Sequence, residues 1–236
     1  MVSINSVICG DALVELGKLP RESVDMCFTC PTPPFDKIGQ STSIVGSEPN
    51  TNQYVKHLVE IFQELKFVLK NSGSLFVQMG DYHYKGTLMA TPEMFVLAML
   101  HNGWFLRSKL IWHRTENSQQ EELNRFRRNW EYIFFFTKNP DNYYFNRKGN
   151  KFYKNSVYSF PSHLDDIHNE FDSGFPEELI EIAIKTTVPV DGVVLDIMAG
   201  TGKTGAVSKK LERKFIMIDI DDKLCNAMRA RLKVPI

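Results

Sequence analysis

The apolar and polar positions along the chain follow two different periods, which divide it into strand-like and helix-like segments. Seven short runs are rich in β-branched and aromatic residues and are flanked by turn residues, so they predict strands. These runs span residues 4–9, 24–29, 74–79, 109–113, 132–137, 193–197 and 214–219. Between them, apolar residues recur every three or four positions, as on one face of a helix. The predicted helices span residues 51–70, 92–101, 176–187, 203–212 and 221–232.

This alternation predicts an α/β fold built on a largely parallel sheet. The strand-like runs are almost continuously apolar, which is typical of strands that helices cover on both faces. Two segments, 36–50 and 138–174, lack a regular pattern and are long enough to suggest functional loops. Because a length of 236 residues favours one domain, we expect a single domain over residues 1–236, with 138–174 as a small insertion.

Composition narrows the class of protein. Hydrophobic residues make up 43% of the chain and aromatic residues 12%, which favours a well-packed enzyme over a disordered scaffold. No run of 18 apolar residues predicts a transmembrane helix, and the N-terminus lacks the basic and apolar parts of a signal peptide, so we expect a cytoplasmic protein. The four cysteines are expected to be reduced. Cys27 and Cys30 have the spacing of a redox or zinc pair, but no second pair completes a metal site, and none is expected.

The charge balance requires that any nucleic-acid contact come from local patches. The 28 basic and 28 acidic residues cancel, whereas dedicated nucleic-acid-binding proteins are usually basic. Basic residues cluster in two places, and the second cluster is interleaved with aromatic side chains, which favours nucleic acid over a merely solvated surface. The candidate residues are Arg125, Arg127 and Arg128 in the first cluster and Arg147, Lys148 and Lys151 in the second.

A glycine-rich loop lies between two buried strands near the C-terminus. The first strand ends at Asp196, the turn runs from Ala199 to Gly202, and the second strand ends at Asp219. Glycines let the backbone approach a ligand closely, and the following helix offers unpaired N–H groups at its N-terminus. A carboxylate at the end of the second strand can accept hydrogen bonds from both hydroxyls of a ribose. The loop therefore predicts a nucleoside-containing cofactor.

Three other interpretations of this loop compete. A P-loop requires a glycine at position 197, where the chain has isoleucine. The spacing of Gly200, Gly202 and Gly205 matches a dinucleotide-binding pattern, but an NAD-binding half would continue into more strands. The third alternative is a tight turn without a ligand. Asp196, four residues before Gly200, favours a fourth pattern, which resembles the S-adenosylmethionine-binding motif of class I methyltransferases.

A second loop, Thr32-Pro33-Pro34-Phe35, follows the strand 24–29. Two prolines hold the backbone extended and remove N–H donors, which leaves carbonyl oxygens as acceptors. A carbonyl and the Thr32 hydroxyl can accept the two hydrogens of an amino group, while the Phe35 ring stacks on a heterocycle. Accepting these hydrogens concentrates electron density on the nitrogen. The structural alternative is an ordinary Pro-Pro turn.

Together the two loops resemble the β class of DNA amino-methyltransferases, the N4-cytosine and N6-adenine enzymes of restriction–modification systems. In that class an [S/T/D/N]-P-P-[Y/F] tetrad precedes the S-adenosylmethionine motif, as Thr32–Phe35 precedes Asp196–Gly202 here. The resemblance implies the class I S-adenosylmethionine-dependent fold, which is Rossmann-like with a mostly parallel seven-stranded sheet and a circularly permuted motif order. Further blocks that resemble the family are residues 8–25, 65–81, 103–114, 130–138 and 175–184.

The resemblance also implies residue roles and partners. It places the catalytic pocket at the tetrad of Thr32, Pro33, Pro34 and Phe35, and it implies double-stranded DNA as partner, with the target base flipped out of the helix. The implied cofactor-binding residues are Asp11, Phe175, Asp196, Ala199, Gly200, Gly202 and Asp219. The segments 36–50 and 138–155 are candidates for binding DNA. A second copy of the chain and a cognate restriction endonuclease are candidate partners.

The chain departs from the family pattern at three places. The approach to the tetrad, TCPTPPF, is two residues longer than usual, so either Thr32 or the Cys30-Pro31 step fills the first catalytic position. Met198 stands where an aromatic residue is frequent, and Lys203 replaces a small hydroxyl residue.

The target base and the activity both have alternatives. Within the family a hydroxyl residue before Pro-Pro favours N4 of cytosine, and N6 of adenine is the alternative. Methyltransferases of RNA or of protein amides use similar tetrads but usually carry the cofactor motif first, so the motif order here argues against them. A paralogue that binds S-adenosylmethionine or DNA without turnover is the non-enzymatic alternative.

Overall fold

The protein is described here by a computed structural model, which covers residues 3–34, 44–115, 125–126, 128–148, 154–162 and 174–235. Helices and strands alternate along these residues as the sequence predicts. In chain order they are β1 (Ser6–Cys9), α1 (Ala12–Leu16), β2 (Val24–Thr29), α2 (Thr51–Val68), β3 (Leu69–Met79), β4 (His83–Tyr84), β5 (Thr87–Leu88), α3 (Thr91–His101), β6 (Phe105–Arg114), β7 (Trp130–Thr137), β8 (Val157–Phe160), α4 (Glu177–Thr187), β9 (Val193–Asp196), α5 (Lys203–Lys210), β10 (Lys214–Asp219) and α6 (Asp222–Leu232).

Within these ranges the main sheet has eight strands in the order β1-β10-β9-β2-β3-β7-β6-β8. Only β7 pairs antiparallel with its neighbours, so seven of the eight strands run in one direction. The expected α/β fold with a mostly parallel sheet is confirmed. The sequence pattern missed the eighth strand, β8, which lies inside the segment 138–174 that has no regular pattern in the sequence. It also missed the short helix α1 and the small β4–β5 hairpin.

Helices cover both faces of the sheet because the side chains of each strand alternate between two apolar clusters. On β3, Leu75 and Val77 point into the cluster that contains α2 and α3, whereas Phe76 points into the cluster on the α4 face. The Phe76 ring stacks on that of Phe135 from β7, with centroids 4.7 Å apart. Such an aromatic pair contributes about 1 kcal/mol beyond its buried area.

Helix α2 shows how the sequence sets one boundary of an element and tertiary pairing sets the other. The Asn50 side chain caps its N-terminus by accepting a hydrogen bond from the Gln53 backbone N–H at 3.0 Å. The apolar stripe continues past Val68 in the sequence, but Leu69 pairs with Val24 in the sheet. The helix therefore ends earlier, and β3 begins earlier, than the local pattern predicts.

The topology brings the ends of the parallel strands together at one edge. From β9 the chain crosses through α5 to β10 on one side, whereas from β2 it crosses through α2 to β3 on the other side. The boundary between β9 and β2 is therefore the switch point at which open α/β sheets bind ligands.

None of the helices within the described ranges is long and apolar enough to cross a membrane.

Candidate active site

A cavity of about 860 Å³ lies over the boundary between β9 and β2, at the carboxyl ends of the strands. One wall is the turn that follows β2, from Cys30 to Pro33, and the opposite wall is the glycine loop from Met198 to Thr201. The end of β10, from Asp219 to Asp221, extends the second wall. A cavity of this size is in the range of small-molecule sites.

Asp196 anchors the glycine loop from the end of β9. Its side chain is 5% exposed, and its Oδ2 accepts a hydrogen bond from the Thr204 hydroxyl at 2.7 Å. Its Oδ1 accepts a hydrogen bond from the Met198 N–H at 3.2 Å. Burial raises the pKa of this carboxyl to about 6, although the hydrogen bonds oppose the shift. Asp196 thus ties the beginning of the loop to the first turn of α5.

Asp219 fixes the same loop from β10 while it lines the cavity. Its Oδ2 accepts a hydrogen bond from the Gly200 N–H at 2.8 Å, and its Oδ1 accepts one from the Asp221 N–H at 3.0 Å. Burial raises its pKa above the usual aspartate value. A carboxylate offers about four lone-pair sites, so these two bonds leave capacity for the hydroxyls of a ribose.

The two glycines of the loop are required for different reasons. Gly200 has φ +53°, and a Cβ built on it would meet nothing within 4 Å, so this backbone borders open space. Gly202 has φ +79°, and a Cβ there would lie 2.8 Å from Cγ of Met228. Gly200 therefore leaves room for a ligand, whereas Gly202 permits the close packing of α6 against the start of α5.

Phe175 and Lys203 border the cavity from the α4 and α5 side. The Phe175 ring packs against Phe28 and Trp112, with both centroid distances at 5.4 Å. The buried ammonium of Lys203 donates a hydrogen bond to the Phe175 carbonyl at 3.2 Å. The lysine that departs from the family pattern thus holds the backbone next to a predicted cofactor residue.

The proline loop is held against α2. The Thr32 carbonyl accepts a hydrogen bond from the Tyr54 hydroxyl at 2.9 Å. Cys30, Pro31, Thr32 and Pro33 all line the cavity. Burial raises the pKa of the Cys30 thiol to about 12, so this side chain stays protonated.

A second contact supports the proline loop from the turn before α2. Gly46 has φ +96°, and a Cβ built on it would lie 2.7 Å from the Pro33 carbonyl oxygen. The Gly46 N–H donates to Oε2 of the buried Glu48 at 2.8 Å, and Oε1 of Glu48 lies 2.5 Å from Nδ1 of His57. The Glu48–His57 pair therefore holds the Gly46 backbone in its position next to the proline loop.

The structure brings many of the predicted site residues together. Those that line the one cavity are Thr32, Pro33, Phe175, Asp196, Ala199, Gly200, Asp219 and Arg128. Pro34 is buried, and Asp11 caps α1 by accepting a hydrogen bond from the Val14 N–H at 3.0 Å. Phe35, Arg127 and Lys151 lie outside the described residues.

The remaining predicted DNA-binding residues are exposed. Arg125, Arg147 and Lys148 are exposed, as is Arg128, whose guanidinium lies 5.6 Å from the centroid of the Tyr82 ring. The segment that carries Arg147 is tied to the end of α4, because the Asn146 N–H donates to the Thr186 carbonyl at 2.7 Å.

Sequence reasoning missed a polar group on the far side of the cavity. Gln78, Arg114 and Glu131 line it from β3, β6 and β7. The signal was a charged or amide side chain inside an otherwise apolar strand, as in WEYIFFFT for Glu131, since such residues are seldom buried without a reason. Within the described ranges, no group of three or more His, Cys, Asp or Glu side chains could hold a metal ion.

Comparison with known proteins identifies the family. The N6/N4 methyltransferase family, described as DNA methylase, matches residues 24–230. A Type II methyltransferase, M.SmaI of Serratia marcescens, is 23% identical over 96% of this chain and 90% of its own length.

Two solved structures share the fold. The cytosine-N4-specific PvuII DNA methyltransferase has a TM-score of 0.84 at 19% identity, covering 98% of this chain and 87% of that one. TTHA0409 of Thermus thermophilus, solved with S-adenosyl-L-methionine, has a TM-score of 0.72 at 22% identity, covering 96% and 94%. The class I methyltransferase fold is therefore confirmed, and the chain belongs to the DNA methylase family of N6/N4 amino-methyltransferases, enzymes that use S-adenosylmethionine.

Proposed function

We propose that this protein transfers a methyl group from S-adenosylmethionine to the exocyclic N4 amino group of cytosine in double-stranded DNA. The observation that carries the proposal is the meeting of two loops in one cavity. The proline loop after β2 and the glycine loop after β9 face each other across the switch point of the sheet. One loop offers acceptors for an amino group, and the other offers the geometry of a nucleoside site.

The donors and acceptors around the glycine loop fit S-adenosylmethionine. Gly200 leaves open space beside the backbone, and Asp219 at the end of β10 would accept the ribose hydroxyls. Phe175 offers an apolar ring at the same cavity. The cofactor supplies a methyl group on a positively charged sulfur, and the acidic side chains of this wall favour a cation.

The proline loop would hold the amino group of the base. The Thr32 hydroxyl and the carbonyls of the loop are hydrogen-bond acceptors, whereas the protonated thiol of Cys30 is a weak one. This difference supports Thr32, rather than the Cys30-Pro31 step, as the first catalytic position, followed by Pro33, Pro34 and Phe35. With both amino hydrogens accepted by oxygen, the nitrogen lone pair is directed at the methyl group. The loop thus contributes proximity and polarisation, and a proton leaves the nitrogen after transfer.

N6 of adenine is the alternative target, because the family includes enzymes for both bases. Both amino groups present the same two hydrogens to the proline loop, so the loop alone does not select between them. The hydroxyl residue before Pro-Pro favours cytosine.

DNA would approach over the exposed basic residues. Arg125, Arg128, Arg147 and Lys148 are exposed, and Arg127 and Lys151, which lie outside the described residues, stay candidates for DNA contact from the sequence. The insertion 138–174 would recognise the target, and the base would be flipped into the cavity. A homodimer, a cognate restriction endonuclease and a cytoplasmic location stay predictions.

The test is the methylation of host DNA. The protein is expressed in a bacterial strain that lacks DNA methyltransferases, the DNA is digested to nucleosides, and N4-methylcytosine and N6-methyladenine are measured by mass spectrometry. We expect N4-methylcytosine. N6-methyladenine without N4-methylcytosine would contradict the choice of base. The absence of both methylated nucleosides would contradict the proposed activity.

Variants test the residues. Asp219→Ala is expected to abolish S-adenosylmethionine binding in isothermal titration, whereas Asp141→Ala, at an exposed turn, is the matched control. Phe35→Ala is expected to lose turnover but keep cofactor binding, with Phe67→Ala on the outer face of α2 as control. Full methylation by Asp219→Ala or Phe35→Ala would contradict the corresponding assignment.

A further inference from the structure

A polar cluster lines the part of the cavity that lies beyond the proline loop. It consists of Gln78 on β3, Glu131 on β7 and Arg114 on β6, which are three neighbouring strands. All three side chains line the cavity that Thr32 lines. In the sheet, β2 separates them from β9 and β10, which carry the glycine loop. The cluster is therefore on the side from which a base would meet the cofactor.

Charge holds this cluster together. Nε2 of Gln78 and Nη2 of Arg114 donate hydrogen bonds to different oxygens of the Glu131 carboxylate. The Arg114 guanidinium also lies 4.8 Å from the centroid of the Trp112 ring. Glu131 is buried, and a buried carboxylate is tolerated only when donors surround it. The carboxylate therefore fixes the position of both donors.

This arrangement orients the Gln78 amide. A carboxylate accepts hydrogen bonds and cannot donate them, so the amide nitrogen must face Glu131. The amide oxygen Oε1 consequently faces away from Glu131. Gln78 is 2% exposed, and its Oε1 has no hydrogen-bond partner among the residues that the structure describes. Buried acceptors without a partner are uncommon, and one that belongs to a cavity-lining side chain marks a place for an external donor.

We infer that Oε1 of Gln78 accepts one hydrogen of the amino group of the flipped base, and that Gln78 is a catalytic residue alongside the proline loop. This inference rests on the proposed function. The proposed function assigns both hydrogens of the amino group to the proline loop. Gln78 would replace one of the two acceptors of that loop, so that the proline loop accepts one hydrogen and Gln78 the other. With both accepted, the amino nitrogen directs its lone pair at the methyl group.

The atoms and electrons of the transfer balance without a base on Gln78. The nitrogen lone pair forms the new N–C bond while the C–S bond breaks, and the sulfur keeps that bonding pair. The extra proton on the nitrogen then leaves to water. A neutral amide oxygen is too weak a base to take this proton, so Gln78 orients the amino group and polarises its N–H bond.

The experiment compares matched glutamine variants of the full chain on unmethylated bacterial genomic DNA. The cofactor carries an isotopic label in its methyl group, and turnover is measured as the label transferred to DNA. Gln78→Met removes the acceptor at similar side-chain length, and we expect turnover to fall on the order of 100-fold. Affinity for S-adenosylmethionine in isothermal titration should stay within about twofold of the wild type. The control is Gln63→Met on α2, whose amide donates to the Asn102 carbonyl at 3.0 Å, and it should keep full turnover.

Glu131 acts through Gln78 and is a positioning residue. Glu131→Gln replaces the carboxylate with an amide that no longer fixes which end of Gln78 faces the cavity. We expect a loss in kcat of about tenfold with an unchanged KM for S-adenosylmethionine. A purely structural role would instead lower the thermal midpoint and affect both constants.

Each outcome decides between the alternatives. The inference is wrong when Gln78→Met turns over within about threefold of the wild type, or when it loses cofactor affinity in parallel with turnover. Where Gln78→Met fails to fold, Gln78→Asn keeps the amide and withdraws its oxygen by about 1.5 Å; full turnover by this variant overturns the inference. A wild-type protein that leaves DNA unmethylated refutes the proposed function, whereas an active wild type with an active Gln78→Met refutes only this step.

Discussion

Replacing Asp196 with asparagine should stabilise the protein in alkaline solution and leave its stability little changed in acid. Asp196 is 5% exposed and its pKa is about 6, against an ordinary value of 3.8. The folded chain therefore binds a proton more tightly than the unfolded chain. The free energy of unfolding falls as the pH rises from about 4 through about 6, and above that range the full destabilisation by the buried charge is present.

The magnitude follows from the shift. About two pKa units at about 1.4 kcal/mol per unit amount to about 3 kcal/mol above pH 6. The Met198 N–H and the Thr204 hydroxyl bond different oxygens of the Asp196 carboxylate. Asp196→Asn removes the buried charge; its amide oxygen can accept from the Met198 N–H, and its NH2 group can donate to the Thr204 hydroxyl oxygen. We expect the free energy of unfolding to rise by as much as about 3 kcal/mol at pH 8 and by about zero at pH 4.

Urea unfolding of the variant and the wild type at pH 4 and pH 8 measures both differences. Asp25→Asn is the control, because Asp25 is also buried but is paired with Lys70 at 2.8 Å, so neutralising it should destabilise the protein at pH 8. A lower stability of Asp196→Asn at pH 8 would refute the reasoning, since the hydrogen bonds would then outweigh the cost of burial. Less cofactor binding by the stabilised variant would show that the charge is kept for function.

Two further predictions concern the support of the proline loop. Gly46→Ala should lower kcat, because its Cβ would lie 2.7 Å from the Pro33 carbonyl oxygen. The control is Gly86→Ala, at φ +82° with nothing within 4 Å of the added Cβ, which should leave methylation unchanged. Equal kinetics for the two variants would contradict the role of Gly46. His57→Gln should lower the free energy of unfolding more near pH 6 than at pH 9. The hydrogen bond to Glu48 raises the His57 pKa, so the stabilisation is lost as the pH rises through that value; a pH-independent difference between His57→Gln and the wild type in urea unfolding would contradict it.

The elements that the sequence predicts well have a strong and uninterrupted apolar period. The runs 24–29 and 214–219 coincide with β2 and β10, because each is mostly apolar over its central residues. Strand β8 is different: it has four residues, of which only Tyr158 is buried, and it lies at the edge of the sheet. An edge strand of this kind is stabilised by pairing with β6 rather than by its own pattern, so local periodicity cannot predict it.

The two loops of the candidate site could be predicted for a similar reason. Each is a contiguous stretch of special residues, prolines in one and glycines in the other, whose backbone chemistry is visible in the sequence. The cluster of Gln78, Arg114 and Glu131 is not contiguous. It exists because β3, β7 and β6 are neighbours in the sheet, an order that only tertiary structure provides. In β7, Glu131 within an otherwise apolar strand was a local sign, whereas Arg114 is one of several polar residues in β6 and gave none.

The distribution of charge around the cavity explains how a chain with a formal net charge of zero can bind DNA. The glycine-loop wall carries Asp196, Asp219 and Asp221, whereas the wall beyond the proline loop carries Arg114 and Arg128 beside the single carboxylate of Glu131. Under the proposed function, the first wall would stabilise a sulfonium cation, and the second wall would attract DNA phosphates. Because attraction to phosphate depends on local charge, an overall basic composition is not needed. The same separation of charge would orient the proposed reaction, because it would draw the methyl donor to one side of the proline loop and the base to the other.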